Sequence, residues 1–107
     1  MSWVYLILAI LFEVSGTTSM KLSEGFTKFW PSVLLFFFYA LSFTSLTYAL
    51  KTLEVSVTYA VWSGLGTIVI TLIGIFWFNE SASTIKFISI ALIIIGVIGL
   101  NLSERLN

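Results

Sequence analysis

The chain has 107 residues, 59% of them hydrophobic and 9% charged, with five basic and five acidic side chains and a formal net charge of zero. Soluble domains carry roughly 25% charged residues, and so short a chain cannot hide this many large apolar side chains in one core, so a water-solvated globule is excluded and lipid is the expected solvent. Cysteine and histidine are absent, which excludes disulfides, thiolate chemistry, zinc sites built from those ligands and a Ser-His nucleophile pair.

In chain order, apolar runs predict membrane-spanning helices over about 3–20, 29–50, 55–78 and 84–102, each long enough to cross roughly 30 Å of hydrocarbon at about 1.5 Å per residue. The first has no Lys or Arg before Glu13 and is interrupted by that acid, so it reads as a retained span rather than a cleaved secretory signal. The second opens with Trp30 and Pro31; a proline in the first helical turn sacrifices no needed donor, and Trp3 and Trp30 suit the membrane interface. The breaks "KLSEGFTK", "KTLE" and "NESAS" are short, so successive spans are antiparallel neighbours. The expected organisation is an all-α membrane protein with one four-helix transmembrane domain over residues 1–107.

Charge placement carries information about orientation. Lys51 and Arg105 fall on one side of the membrane and Lys21, Lys28 and Lys86 on the other, and a free amino terminus brings the first side level. The positive-inside bias nearly cancels, so the chain is expected to insert both ways up and to pair as an antiparallel dual-topology homodimer.

Glu13 sits in the middle of the first span, where a charge costs at least a few kcal/mol and an acid is by default a functional candidate. Its helical neighbours at spacings of three, four and seven are Leu6, Ala9, Ile10, Gly16, Thr17 and Met20, a stripe combining a carboxyl, small residues and a hydroxyl. The competing reading is a polar contact for helix assembly alone. In the third span, "VTYAVWSGLGTIVITLIG" puts Tyr59, Trp62 and Ser63 on a shared face, and aromatic rings attract organic cations through their quadrupole; a lipid-facing or interfacial position for these rings is the alternative. The second span offers Tyr39, Ser42, Phe43 and Leu46 on one face. Gly64 and Gly66 follow Trp62 and serve either as a hinge or as a site of close helix packing. Ser89, Gly96 and Gly99 among the bulky aliphatics of the last span mark a helix contact surface, expected to be a dimer contact.

The stretches "FEVSGTTSMKLSEGFTKFWPS" and "YAVWSGLGT", with the four-span layout, resemble the small multidrug resistance transporters over essentially the whole chain. Within that family the chain is similar to the branch exporting quaternary ammonium and other aromatic cations, because guanidinium exporters typically carry tryptophan three residues after the glutamate, and here that residue is Gly16. The resemblance implies an antiparallel homodimer in a bacterial cell membrane exchanging protons for cationic drugs, with Glu13 shared alternately by protons and substrate. It implies a pocket lined by Tyr39, Tyr59 and Trp62, with Ala9, Ile10, Thr17, Ser42 and Phe43 nearby. Two features depart from the pattern: Ser89 stands where glycine is common, and Thr44, Ser45 and Thr47 make the second span unusually polar. No metal, cofactor or nucleic-acid partner is expected, and a lone carboxyl without His, Cys or intramembrane Lys is a poor catalytic constellation. The rival readings are a guanidinium exporter, one subunit of a paired heterodimer handling polyamines or drugs, or a membrane scaffold in which Glu13 pairs with a partner's basic residue.

Overall fold

The computed structural model describes residues 1–106, with side chains described through Ser103. Among the described residues every regular element is an α-helix: α1 (Ser2–Leu22), α2 (Phe29–Ala49), α3 (Val55–Trp77) and α4 (Thr84–Leu106). All four are long and apolar enough to cross a membrane. The bounds differ from the sequence expectation by a residue or two at most ends. The exception is α4, which continues past Leu102 to Leu106. Its polar end contains no Pro or Gly to break the helix, and the Asn101 amide donates back to the Val97 carbonyl at 3.3 Å, so the backbone stays helical after the apolar run has ended.

Two compact units divide the chain, Met1–Leu53 and the part from Glu54 onward. In the first, α1 packs along α2. The buried side of α1 is Leu6, Ala9, Ile10, Val14, Gly16, Thr18 and Ser19, and that of α2 is Leu35, Ser42, Ser45 and Ala49. Most of these are small or hydroxylated, whereas Ile7, Leu11, Phe36 and Phe37 face outward. This is the inverse of a soluble core and is the pattern expected when lipid solvates the outside and close backbone approach holds the helices together.

Hydroxyl groups on these spans need acceptors, because hydrocarbon supplies none. Thr44 and Thr47 donate to the Ala40 and Phe43 carbonyls, both at 2.7 Å, and Ser15 and Thr18 donate to Leu11 and Val14, both at 2.8 Å. The unusual polarity of the second span is therefore largely satisfied within its own helix.

The connection between α1 and α2 turns about Ser23, which is buried. Its carbonyl accepts the Thr27 and Lys28 amides at 2.9 and 3.1 Å, and its hydroxyl accepts the Phe26 amide at 3.2 Å. Glu24, Gly25 and Phe26 all take positive φ, at 48°, 70° and 68°. Glycine accepts that region freely, while phenylalanine there is strained; the Phe26 ring stacks on Phe36 with centroids 6.1 Å apart.

In the second unit α3 packs on α4. Gly64 lies directly against α4: a Cβ added there would lie 2.9 Å from Val97 Cγ2 and 3.1 Å from Ile93 Cγ2. α3 ends where Asn79 takes φ 58° and the Glu80 amide returns to the Gly74 carbonyl at 3.0 Å. The Glu80 carboxylate folds over Gly74, in space that any side chain at 74 would occupy.

Candidate functional site

Glu13 lies near the midpoint of α1 and is half-buried. Helical spacing puts Ala9 one turn before it and Thr17 one turn after, and both turns are tied to α2. On one side, the fully buried Ser42 hydroxyl donates to the Ala9 carbonyl at 2.7 Å. By helix geometry that carbonyl also receives the Glu13 amide. On the other side, the Thr17 hydroxyl donates to Glu13 Oε1 at 3.0 Å and lies 2.7 Å from the Tyr39 phenol oxygen.

The Tyr39 ring reaches Thr17 because residue 16 has no side chain. A Cβ built on Gly16 would already touch three ring carbons at 3.4 Å; a longer side chain would displace the ring. The Tyr39 ring also stacks on Phe43, with centroids 6.1 Å apart and 19° between planes. Of the expected first-unit residues, the structure thus brings Glu13, Thr17, Tyr39, Ser42, Phe43 and Ala9 into one constellation, with Ile10 buried beside Ala9 in α1.

Among the described residues the ion pair present is Lys28 with Glu24, both exposed; no basic side chain pairs with Glu13. The span holds an acid whose hydrogen-bond support comes from a neutral hydroxyl. No group of three or more Asp or Glu is placed to hold a metal ion among the described residues.

In the second unit Tyr59 and Trp62 meet edge to face at 5.5 Å. Tyr59 is exposed and Trp62 half-buried, and the Ser63 hydroxyl bonds back to the Tyr59 carbonyl at 2.8 Å. Gly64 and Gly66 are buried, and α3 is one continuous helix through both. On α4, Ser89, Gly96 and Gly99 are exposed, with open space beside both glycines.

Three features escaped the sequence reading. The acceptor for Ser42 is a backbone carbonyl on another helix, which no side-chain pattern reveals. The seat of Tyr39 over Gly16 depends on how α1 and α2 face each other. Thr58 is fully buried, with its hydroxyl lacking a hydrogen-bond partner among the described residues; its position four residues before Trp62 placed it on the aromatic stripe and was the available signal.

Comparison with known proteins gives a match of residues 1–93 to the family described as Small Multidrug Resistance protein. An uncharacterized membrane protein of Bacillus subtilis, YvaE, is 60% identical over 98% of this chain and 88% of its own. The quaternary ammonium compound-resistance protein QacG of a Staphylococcus strain is 42% identical over 94% of each chain. A guanidinium exporter of Citrobacter freundii is 40% identical over 98% of this chain and all of its own, 100%.

Proposed function

Because the chain belongs to the small multidrug resistance family, we propose that it is a proton-coupled antiporter that exports hydrophobic, aromatic and quaternary ammonium cations, working as an antiparallel homodimer. Members of the family are transporters rather than enzymes, and the chain is a multi-pass bacterial membrane protein. The observation that carries the reading is Glu13: an acid at the middle of a span, half-buried, held by a hydroxyl and given no basic partner among the described residues.

A cation needs the ionised carboxylate as its counter-charge, and a proton abolishes that charge, so the two ligands exclude each other at one group. Coupling then needs no separate proton path. If the site opens to one face at a time, protons from an acidic exterior displace the drug there, and proton release inside readies the acid for another cation. Each pH unit of gradient supplies about 1.4 kcal/mol per proton.

The aromatic surfaces of Tyr59 with Trp62 and of Tyr39 with Phe43 supply cation-attracting rings with few directional demands, which suits a broad substrate range. The open faces of Ser89, Gly96 and Gly99 on α4 support a contact with a second copy, and Gly64 with Gly66 is the proposed hinge of α3.

Relatives exporting quaternary ammonium compounds and guanidinium stand at 42% and 40% identity, so overall similarity does not separate the two substrate classes. The seat of the Tyr39 ring over Gly16 favours the aromatic-cation reading, because a bulky residue at 16 and this ring position exclude each other. The test is proton-driven exchange by the purified chain in liposomes, measured as currents on a supported membrane, with tetraphenylphosphonium and guanidinium as alternative substrates. The expected result is coupled transport of tetraphenylphosphonium that Glu13→Gln abolishes. Coupled efflux retained by Glu13→Gln would overturn the assignment, and transport of guanidinium alone would move it to the other branch.

A further inference from the structure

We propose that Tyr39 and Thr17 form a hydrogen-bond chain whose direction reverses with the occupancy of Glu13, so that α2 registers whether the acid on α1 holds a proton. The inference rests on the reading of Glu13 as the exchanging group and adds to it two positioning residues and the means by which the state of the carboxyl leaves its own helix.

A carboxylate has no hydrogen to give, a threonine hydroxyl has one, and a tyrosine phenol has one. Thr17 Oγ1 lies 3.0 Å from Glu13 Oε1 and 2.7 Å from the Tyr39 oxygen. With Glu13 ionised, Thr17 must spend its hydrogen on the carboxylate, since the alternative faces lone pairs against a negative oxygen. The phenol must then donate to Thr17, and the chain runs from Tyr39 through Thr17 to Glu13. This engages Oε1 and leaves the other carboxylate oxygen to a cation.

A protonated Glu13 changes the count. Its own hydrogen can pass to Thr17, the Thr17 hydrogen can turn to Tyr39, and the phenol hydrogen is released. An O–H that has lost its acceptor is unfavourable in a low-dielectric site, so the freed phenol O–H is driven to a new partner. The ring is held by contacts with Gly16 and Phe43, which concentrates the change at the hydroxyl. The other tie between the helices, Ser42 to the Ala9 carbonyl, involves no group that titrates. One link across the helix pair is therefore fixed, and the other follows the charge of Glu13.

No other charged group competes for this role within the pair. α2 carries no Asp, Glu, Lys or Arg between Phe29 and Ala49. Of its two phenols, Tyr48 stacks on Tyr5 at 5.3 Å, leaving Tyr39 as the phenol that links α2 through Thr17 to Glu13. On α1 the remaining charged side chain is the exposed Lys21, two turns beyond Glu13.

The test uses the full-length protein in bilayers, with 13C at tyrosine Cζ and glutamate Cδ, followed by NMR through a pH titration and again on adding tetraphenylphosphonium; Tyr39→Phe assigns the Tyr39 signal. The expected result is that the Tyr39 Cζ resonance shifts with the same midpoint as the Glu13 carboxyl and returns toward its high-pH position when the cation binds. In Thr17→Val, which keeps the shape and removes the hydroxyl, the Glu13 carboxyl still titrates while Tyr39 stops following it; Thr17→Ser restores the link. Thr17→Ala serves if the valine variant does not fold. A Tyr39 signal that stays still while Glu13 titrates, or that keeps following it in Thr17→Val, overturns the chain and leaves the transport reading intact. A Glu13 carboxyl that does not respond to pH or to the cation overturns that reading, and the chain with it.

Discussion

At the scale of single residues, the candidate site is a carboxyl whose helix is fastened to its neighbour one turn before and one turn after the acid. The two fastenings differ in chemistry. Ser42 gives its hydrogen to a carbonyl that already has an intrahelical donor, so losing it leaves no orphaned group on α1. Ser42→Ala is therefore expected to cost only about 0.5–1 kcal/mol of stability, measured by reversible unfolding in detergent; a loss above about 3 kcal/mol would show that the contact does more than tie two helices. Much of this site was legible in the sequence. Glu13 stood out because an acid in hydrocarbon demands a reason, and Thr17 followed from the spacing of one helix. Tyr39 stood on a shared face with Ser42 and Phe43, but its contact with Thr17 was not legible, because the pattern of one span does not reveal which face meets its partner.

Among the elements, four helices were readable from apolar runs because nothing else in a chain this hydrophobic satisfies its backbone in lipid. The turns were less so. Gly25 announced a break after α1, but positive φ at Glu24 and Phe26 depends on Ser23 acting as a buried anchor for three amides, which composition does not show. Gly64 could be read either as a hinge or as a packing point; its crowding by Val97 and Ile93 makes close packing against α4 a measurable property, and its role as a hinge is proposed separately. Gly64→Ala places a methyl about 2.9 Å from Val97 Cγ2, and overpacking of this kind costs about 1–3 kcal/mol. Combining it with Val97→Ala should recover at least about 0.5 kcal/mol relative to additivity, read from the same unfolding measurements; strict additivity would show that the two residues do not press on each other.

For the whole molecule, the near-cancelling basic residues and the exchange chemistry proposed for Glu13 make two separate demands. Balanced charge calls for both orientations in one membrane. The chain has no cysteine, so Ser103→Cys offers a single reactive thiol, and a membrane-impermeant maleimide should label about half the molecules from outside intact cells; labelling of nearly all or none would refute dual insertion. The exchange chemistry calls for competition, and calorimetry of tetraphenylphosphonium binding to the purified protein across pH, in two buffers of different ionisation enthalpy, tests it most directly. Because the protonated acid has no charge to offer, acidification should weaken binding by about tenfold per pH unit for each proton displaced, with protons released on binding and the dependence gone in Glu13→Gln. An affinity that stays constant from acid to alkaline pH, with no protons released, would contradict competition at Glu13.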